Sequence, residues 1–268
     1  MRGRIIAGAA IAGASWLAFV ATRQWWKTWG VVPGEATRPL PGDELVPEAQ
    51  ASDTRGITIE APAEQVWPWL VQMGYGRGGW YSIDQLDMRG RSADTIVEAW
   101  QNLAVGEIMP THPGGGFEVK RLEPNRALVL YGDPSTMQPA RDADSDVMPA
   151  GLAASGTFLA QTPSEFKASW AFVLEPVGQD RTRLIERMRY WGGEGTPVAK
   201  AALSLLGFGA FVMMQRQMLG IRSRAEQLAI EEALPPIPAP KPAGNGSAPA
   251  VPEKVLARAF VGANPDIR

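Results

Sequence analysis

The apolar positions along the chain change period several times, and each change marks an element. Residues 5–22 (IIAGAAIAGASWLAFVAT) run for eighteen positions without a charge. As a helix such a run spans about 27 Å, close to the hydrocarbon thickness of a bilayer. Arg2 and Arg4 precede it, Arg23 and Lys27 follow, and Trp25, Trp26 and Trp29 stand where an aromatic belt lies. The expectation is an uncleaved single-pass anchor. A cleaved signal peptide fits less well, because the apolar run is long and cleavage after Ala21 leaves bulky Phe19 near the scissile bond. Basic residues flank both ends, so the side of the membrane stays open.

After the anchor the period is lost. Residues 30–54 hold Pro33, Pro39, Pro41 and Pro47 among acidic residues and read as a tether. Residues 55–61 (RGITIEA) alternate Ile57 and Ile59 with polar neighbours, which predicts a half-buried strand. Pro62 and Glu64 open a helix whose apolar side is Val66, Trp67, Leu70, Val71 and Met73, with Pro68 inside it and Gly74 ending it. A glycine-rich loop at 74–91 surrounds a short segment at 83–88, and a second short helix is predicted over 93–103. Strands are predicted at 106–110, 117–122, 127–131 and 157–160, with an acidic, proline-punctuated insertion at 132–152. Two longer strands, 167–175 and 181–190, flank a hairpin signal, Pro176-Val177-Gly178-Gln179-Asp180. Thr196 and Pro197 then cap a long helix running to about residue 232. Seven prolines follow between 235 and 252, the composition of an extended, disordered tail.

Strand, helices, a run of strands and one long helix make an α+β order. The division is an anchor at 1–29, a tether at 30–54, a folded domain at 55–232 and a tail at 233–268. The pieces RPLPGDELVP (38–47), ITIEAPAEQVWPWLVQMGYGRGGWYS (57–82), the 103–108 run, PGGGFEV (113–119), SWAFVLEP (169–176) and TRLIERMR (182–189) resemble bacterial proteins of the SRPBCC superfamily. That superfamily comprises polyketide cyclases/dehydrases, START-like lipid-transfer domains and birch-pollen-allergen-like proteins. The resemblance spans roughly residues 38–230, and its most specific block is VWPWLVQMGYGRGGWYS. It implies a helix-grip fold, in which a curved antiparallel sheet holds the carboxy-terminal helix over a cavity. It does not imply one reaction.

Composition narrows the chemistry. The formal net charge is −2, so there is no basic excess for nucleic acid. The chain has no cysteine, which excludes disulfides and thiolate metal sites. Its one histidine, His112, lies beside Pro113 and three glycines and reads as an exposed turn residue. No zinc spacing occurs, and the Gly74–Gly79 run follows a helix rather than the strand a nucleotide loop needs. Neither a metal nor a cofactor is expected.

What remains is an apolar pocket. Trp170, Phe172 and Leu174 share one strand face; Leu184, Glu186, Met188 and Tyr190 share another, with Ile185, Arg187 and Arg189 opposite. If the apolar face points inward, Glu186 is an acid in a hydrophobic cavity and carries a raised pKa or holds an arginine. Arg187 and Arg189 match the family pattern or form a solvated sheet face. The long helix contains fourteen uncharged residues at 201–214, read as gripped by the sheet, buried in a core or touching lipid. The expected ligand-lining set is Trp80, Tyr81, Trp170, Phe172, Leu184, Glu186, Met188, Tyr190, Leu205, Phe208 and Val212. The first reading of function is a membrane-surface module that binds or transfers a lipid, isoprenoid or polyketide-like molecule. An enzyme of the cyclase/dehydratase type is the second, with Glu186, Tyr190, Tyr81 and Tyr131 as candidate acids or bases that form no dyad. A ligand-free subunit, docking a protein through anchor or tail, is the third.

Overall fold

The computed structural model describes residues 22–87, 90–113, 115–137, 165–192 and 197–233, excluding the side chains of 87 and 197–206. The expected anchor at 5–22 and strand at 157–160, the tail, and most of the expected insertion fall outside these residues. Among the described residues no helix is long and apolar enough to cross a membrane.

Six strands form one antiparallel sheet: β1 (Ala51–Ile59), β2 (Ile108–His112), β3 (Gly115–Glu123), β4 (Ala127–Gly132), β5 (Lys167–Pro176) and β6 (Thr182–Trp191). Their order is β1-β6-β5-β4-β3-β2, so the chain's first strand closes against its last. Among the described residues four α-helices accompany them: α1 (22–27), α2 (Ala63–Val71), α3 (Asp84–Asp87) and α4 (Pro197–Ala233). Irregularities in the β2–β3 and β3–β4 ladders bend that end of the sheet. α4 lies with α2 over the inner face. Its inward stripe is Phe211, Met214, Met218, Ile221 and Ala225, the three-and-four spacing of an amphipathic helix. This is the α+β helix-grip architecture.

The β5–β6 hairpin follows the alternation in its sequence. Trp170 faces Met188, Phe172 faces Glu186 and Leu174 faces Leu184. The turn between them uses Gly178 at φ 77°, a backbone region that favours glycine. Other expectations shift. β1 begins at Ala51 rather than at Arg55. In α2 it is Trp69 that is buried, while Trp67 is only half-buried. The helix predicted over 93–103 is reduced to one 3-10 turn, Glu98–Trp100. Side chains take the backbone groups such a helix would use: Arg224 donates to the Ala93 carbonyl at 2.8 Å, and Gln72 bonds Thr95 and Val97.

The largest departure is at 30–54. This stretch, read as a tether, packs along the outer face of the sheet. Leu40 is buried with Val173 and Ile185, and Val46 is fully buried. Arg183 grips the Glu35 carboxylate with both Nε and Nη2 at 2.8 Å. Arg187, also buried, donates to Thr54, to Asp43 and to the carbonyls of Glu35 and Arg38. Arg189 donates to the Val46 carbonyl. The basic row of β6 is therefore not a solvated face. Burial raises the pKa of Glu35, but the Arg183 hydrogen bond, the Val32 N–H and nearby cations more than reverse this and hold it below its ordinary value.

The packing extends towards the amino terminus. Trp26 is buried against Phe208 and Phe211 of α4, and the Trp29 carbonyl accepts from the Gly56 N–H. A Cβ on Gly30 would sit 2.1 Å from the Gly56 carbonyl oxygen, so the segment and β1 meet backbone to backbone. A chain starting at residue 30 is therefore expected to be less stable than one starting at residue 22 by about 3–5 kcal/mol, the cost of losing a buried tryptophan. Urea unfolding of the two fragments measures the difference; equal midpoints would show that Trp26 is not part of the core.

Candidate functional site

The inner face of the sheet carries an acid within an aromatic wall. Alternation along β6 turns Leu184, Glu186, Met188 and Tyr190 inward, and the neighbouring strands follow the same pleat. Trp170 is central: Trp80 stacks on it at 5.3 Å and 16°, Phe117 meets it edge-on at 5.5 Å, and Phe172 lies 5.1 Å away. Leu128 and Leu130 of β4 and Met214 and Met218 of α4 belong to the same core.

Glu186 is fully buried, with 0% of its surface exposed. Its Oε1 accepts a 2.7 Å hydrogen bond from the Trp170 indole, while Oε2 has no hydrogen-bond partner. Burial pushes its carboxyl up to about 7, against the opposing charge of Arg55 and the Trp170 bond. Arg55 is the cross-strand neighbour of Glu186 on β1. Its guanidinium is not engaged with the acid: it lies 3.3 Å from Asp53, donates to the Met214 sulfur at 3.0 Å and sits 5.6 Å from the Phe211 ring centroid. Arg55 Nε is also buried without a partner, as is the Tyr190 hydroxyl, whose pKa burial raises. Each such atom carries a desolvation cost of about 1–3 kcal/mol. The sheet thus presents, on its inner face, an acceptor on Glu186, a donor on Arg55 and a phenol on Tyr190.

The expected lining residues divide. Trp80, Trp170, Phe172, Leu184 and Glu186 come together on or against this face, with Met188 and Tyr190 half-buried at its margin. Tyr81 is buried in the core, where its hydroxyl donates to the Trp69 carbonyl at 3.1 Å, and burial raises its pKa. Tyr81 packs close to α4, its carbonyl oxygen 2.2 Å from where a Cβ on Gly220 would lie. Phe208 is not on the inner face; it is 44% exposed and its ring contacts are Trp26 and Phe211. Val212 is half-buried beside the inward stripe, and the side chain of Leu205 lies outside the described residues. Tyr131 points away from the acid, sharing the outer face with its partner Ser169. His112 is not an exposed turn residue. β2 runs on to include it, and it is buried, with Thr111 Oγ1 2.9 Å from its Nδ1.

Arg55 is the residue that sequence reasoning overlooked. The signal was present, since Arg55, Ile57 and Ile59 alternate onto one face and the two isoleucines are core residues. Among the described residues no group of three or more Asp, Glu or His side chains could hold a metal ion. The arrangement sets a carboxyl, raised in pKa by burial and with one oxygen unpartnered, inside an aromatic and aliphatic surround.

No family model matches the sequence. No curated protein matches it either. Solved structures with a similar outline include a conserved protein from Geobacillus kaustophilus, 15% identical, with a TM-score of 0.37 over 66% of this chain and 96% of that one. The Aha1 dimer from Colwellia psychrerythraea is 17% identical, with a TM-score of 0.30 over 65% and 98%. CalU16 from Micromonospora echinospora is 13% identical, with a TM-score of 0.29 over 67% and 86%. These chains share few residues with this one, and the helix-grip architecture rests on its own strands and helix.

Proposed function

We propose that the protein is a membrane-tethered member of the SRPBCC superfamily that binds or transfers a hydrophobic small molecule between the sheet and α4. The observation that carries this reading is the buried, unpartnered Oε2 of Glu186 inside an aromatic wall, with the unpartnered Arg55 Nε and Tyr190 hydroxyl on the same face. A ligand's polar end supplies the missing partners, and its apolar body gains about 0.8 kcal/mol per buried methylene. The uncharged run at 5–22 keeps the domain beside the bilayer, where apolar molecules concentrate.

The test is native mass spectrometry with organic extraction on the full chain, released from its own type of cell in detergent. A co-purifying apolar molecule of defined mass is expected, and Glu186→Leu should lose it. An empty protein with no measurable affinity for fatty acids, isoprenols or aromatic polyketides would defeat the reading and favour an interaction subunit. One observation supports catalysis as a second reading: a carboxyl that titrates at about 7 is poised for acid–base work at neutral pH. On that reading Glu186→Gln keeps the ligand and abolishes its cyclisation or dehydration.

A further inference from the structure

A second feature of the molecule lies outside the inner face. α1 and the part of α4 that begins at Gly207 meet in an aromatic cluster. Trp26 packs against Phe208 and Phe211 at 6.4 and 6.3 Å, and Trp25 meets Phe211 edge-on at 5.6 Å. The inner half of this cluster is core. The outer half is open: Trp25 is 58% exposed and Phe208 44%. Gly209 and Ala210, next to Phe208, are exposed as well, and a Cβ on Gly209 would meet nothing within 4 Å. Two large aromatic rings that share Phe211 as a neighbour, both left in solvent, mark a contact surface.

The chain itself indicates what covers it. Trp25 follows the uncharged eighteen-residue run at 5–22 by three positions, a rise of about 5 Å along a helix. If that run crosses the hydrocarbon, Trp25 falls at headgroup depth, the level that tryptophan favours. The exposed Arg23 between them suits anionic headgroups. On the α4 side, residues 201–206, which lead into Phe208, are uncharged.

We infer that the Trp25–Phe208 surface is a bilayer-contact site that lays the folded domain against the membrane in one orientation, rather than leaving it to swing from its anchor. The occupant is lipid at the headgroup–acyl boundary. The same contact adjoins the inner site. Phe211, which packs against both tryptophans, also lies beneath the Arg55 guanidinium. The domain therefore sits with the Arg55 end of its inner face nearest the lipid. The inference does not depend on any ligand being bound.

Because the chain has no cysteine, single cysteines report on position cleanly. Phe208→Cys and, at the far end of α4, Ile230→Cys replace exposed residues, so each is expected to fold. The full chain carrying each one is labelled with bimane and reconstituted in phosphatidylcholine–phosphatidylglycerol vesicles. Quenching by headgroup-nitroxide lipid is then compared with quenching by aqueous iodide. Lipid quenching should be several-fold stronger at 208 than at 230, with the order reversed for iodide. Adding Trp25→Ser should weaken lipid quenching at 208 without releasing the chain from the vesicles. Equal iodide access at 208 and 230 would overturn the inference. So would protection of 208 from iodide without lipid quenching, which would mean that a second copy of the chain covers the surface.

Discussion

Replacing Arg187 with alanine is expected to lower the unfolding free energy by about 3–5 kcal/mol, the range for removing one partner of a buried charge pair. The side chain is 3% exposed and makes four hydrogen bonds, all across the sheet's outer face. Its loss leaves the Asp43 carboxylate, 2.7 Å away, with only the Leu40 N–H and the distant Arg189, and leaves the carbonyls of Glu35 and Arg38 without their donor. The 35–43 stretch is then held by Leu40, the Arg183–Glu35 pair and the more exposed Arg38–Glu175 pair. Arg189→Ala is the control. It is more exposed, its Asp43 contact is 3.9 Å, and its firm bonds go to the Val46 carbonyl, so its effect should be about 1 kcal/mol. Urea unfolding of both variants decides the matter. Equal small losses would mean that the 30–50 segment is only loosely seated on the sheet.

Glu186→Gln should change how stability depends on pH. The folded protein holds the Glu186 proton up to about pH 7, whereas the unfolded chain releases it near the ordinary value of 4.5. Between these values the folded state binds more protons, so stability is highest below about 4.5 and falls as pH rises towards 7. The total contribution is roughly 3 kcal/mol, at 1.36 kcal/mol per pH unit. Glutamine has no proton to lose. The variant should match the parent below about pH 4 and exceed it at pH 8, and the difference between the two curves should trace the titration. Glu35 acts with the opposite sign and in another window. Its carboxyl is held below its ordinary value, so its contribution is present above about 4.5 and is lost as pH falls further. It cancels in the difference because both proteins carry it. A difference that stays flat from pH 5 to 8 would show that Glu186 is ionised throughout, with Arg55 compensating its charge.

Much of the fold was legible because it is local. The 167–175 and 181–190 strands alternate strictly around a turn with glycine at its left-handed position, and the observed hairpin differs by about one residue at each end. The long helix begins at the predicted Pro197. Glu186 was correctly set among Leu184, Met188 and the Trp170 row, since a strand's period of two assigns faces without knowledge of partners. Arg55 could have been found by the same rule from Ile57 and Ile59.

The failures share one physical cause. Periodicity reports which residues share a face, not what covers that face. Arg187 and Arg189 stay open to a solvated-face reading in the sequence because their partners, Asp43 and the carbonyls of Glu35, Arg38 and Val46, lie more than 140 positions away in a stretch with no period. The same long-range capture turned a proline-rich stretch into part of the domain and replaced the helix expected at 93–103 with a loop bonded by Arg224 and Gln72. Phe208 sits on an apolar stretch of helix, yet which side of α4 meets the sheet was set by the packing of α1 and α2, which leaves that ring outward against Trp26. The sequence by itself determined the strands, the long helix and the inward acid, because each depends on neighbours within a few residues. Only the tertiary structure decided that this acid lies beside an arginine turned towards Asp53 and Met214, with one carboxylate oxygen left unpaired, because contacts between distant strands are chosen by the best burial of the whole chain.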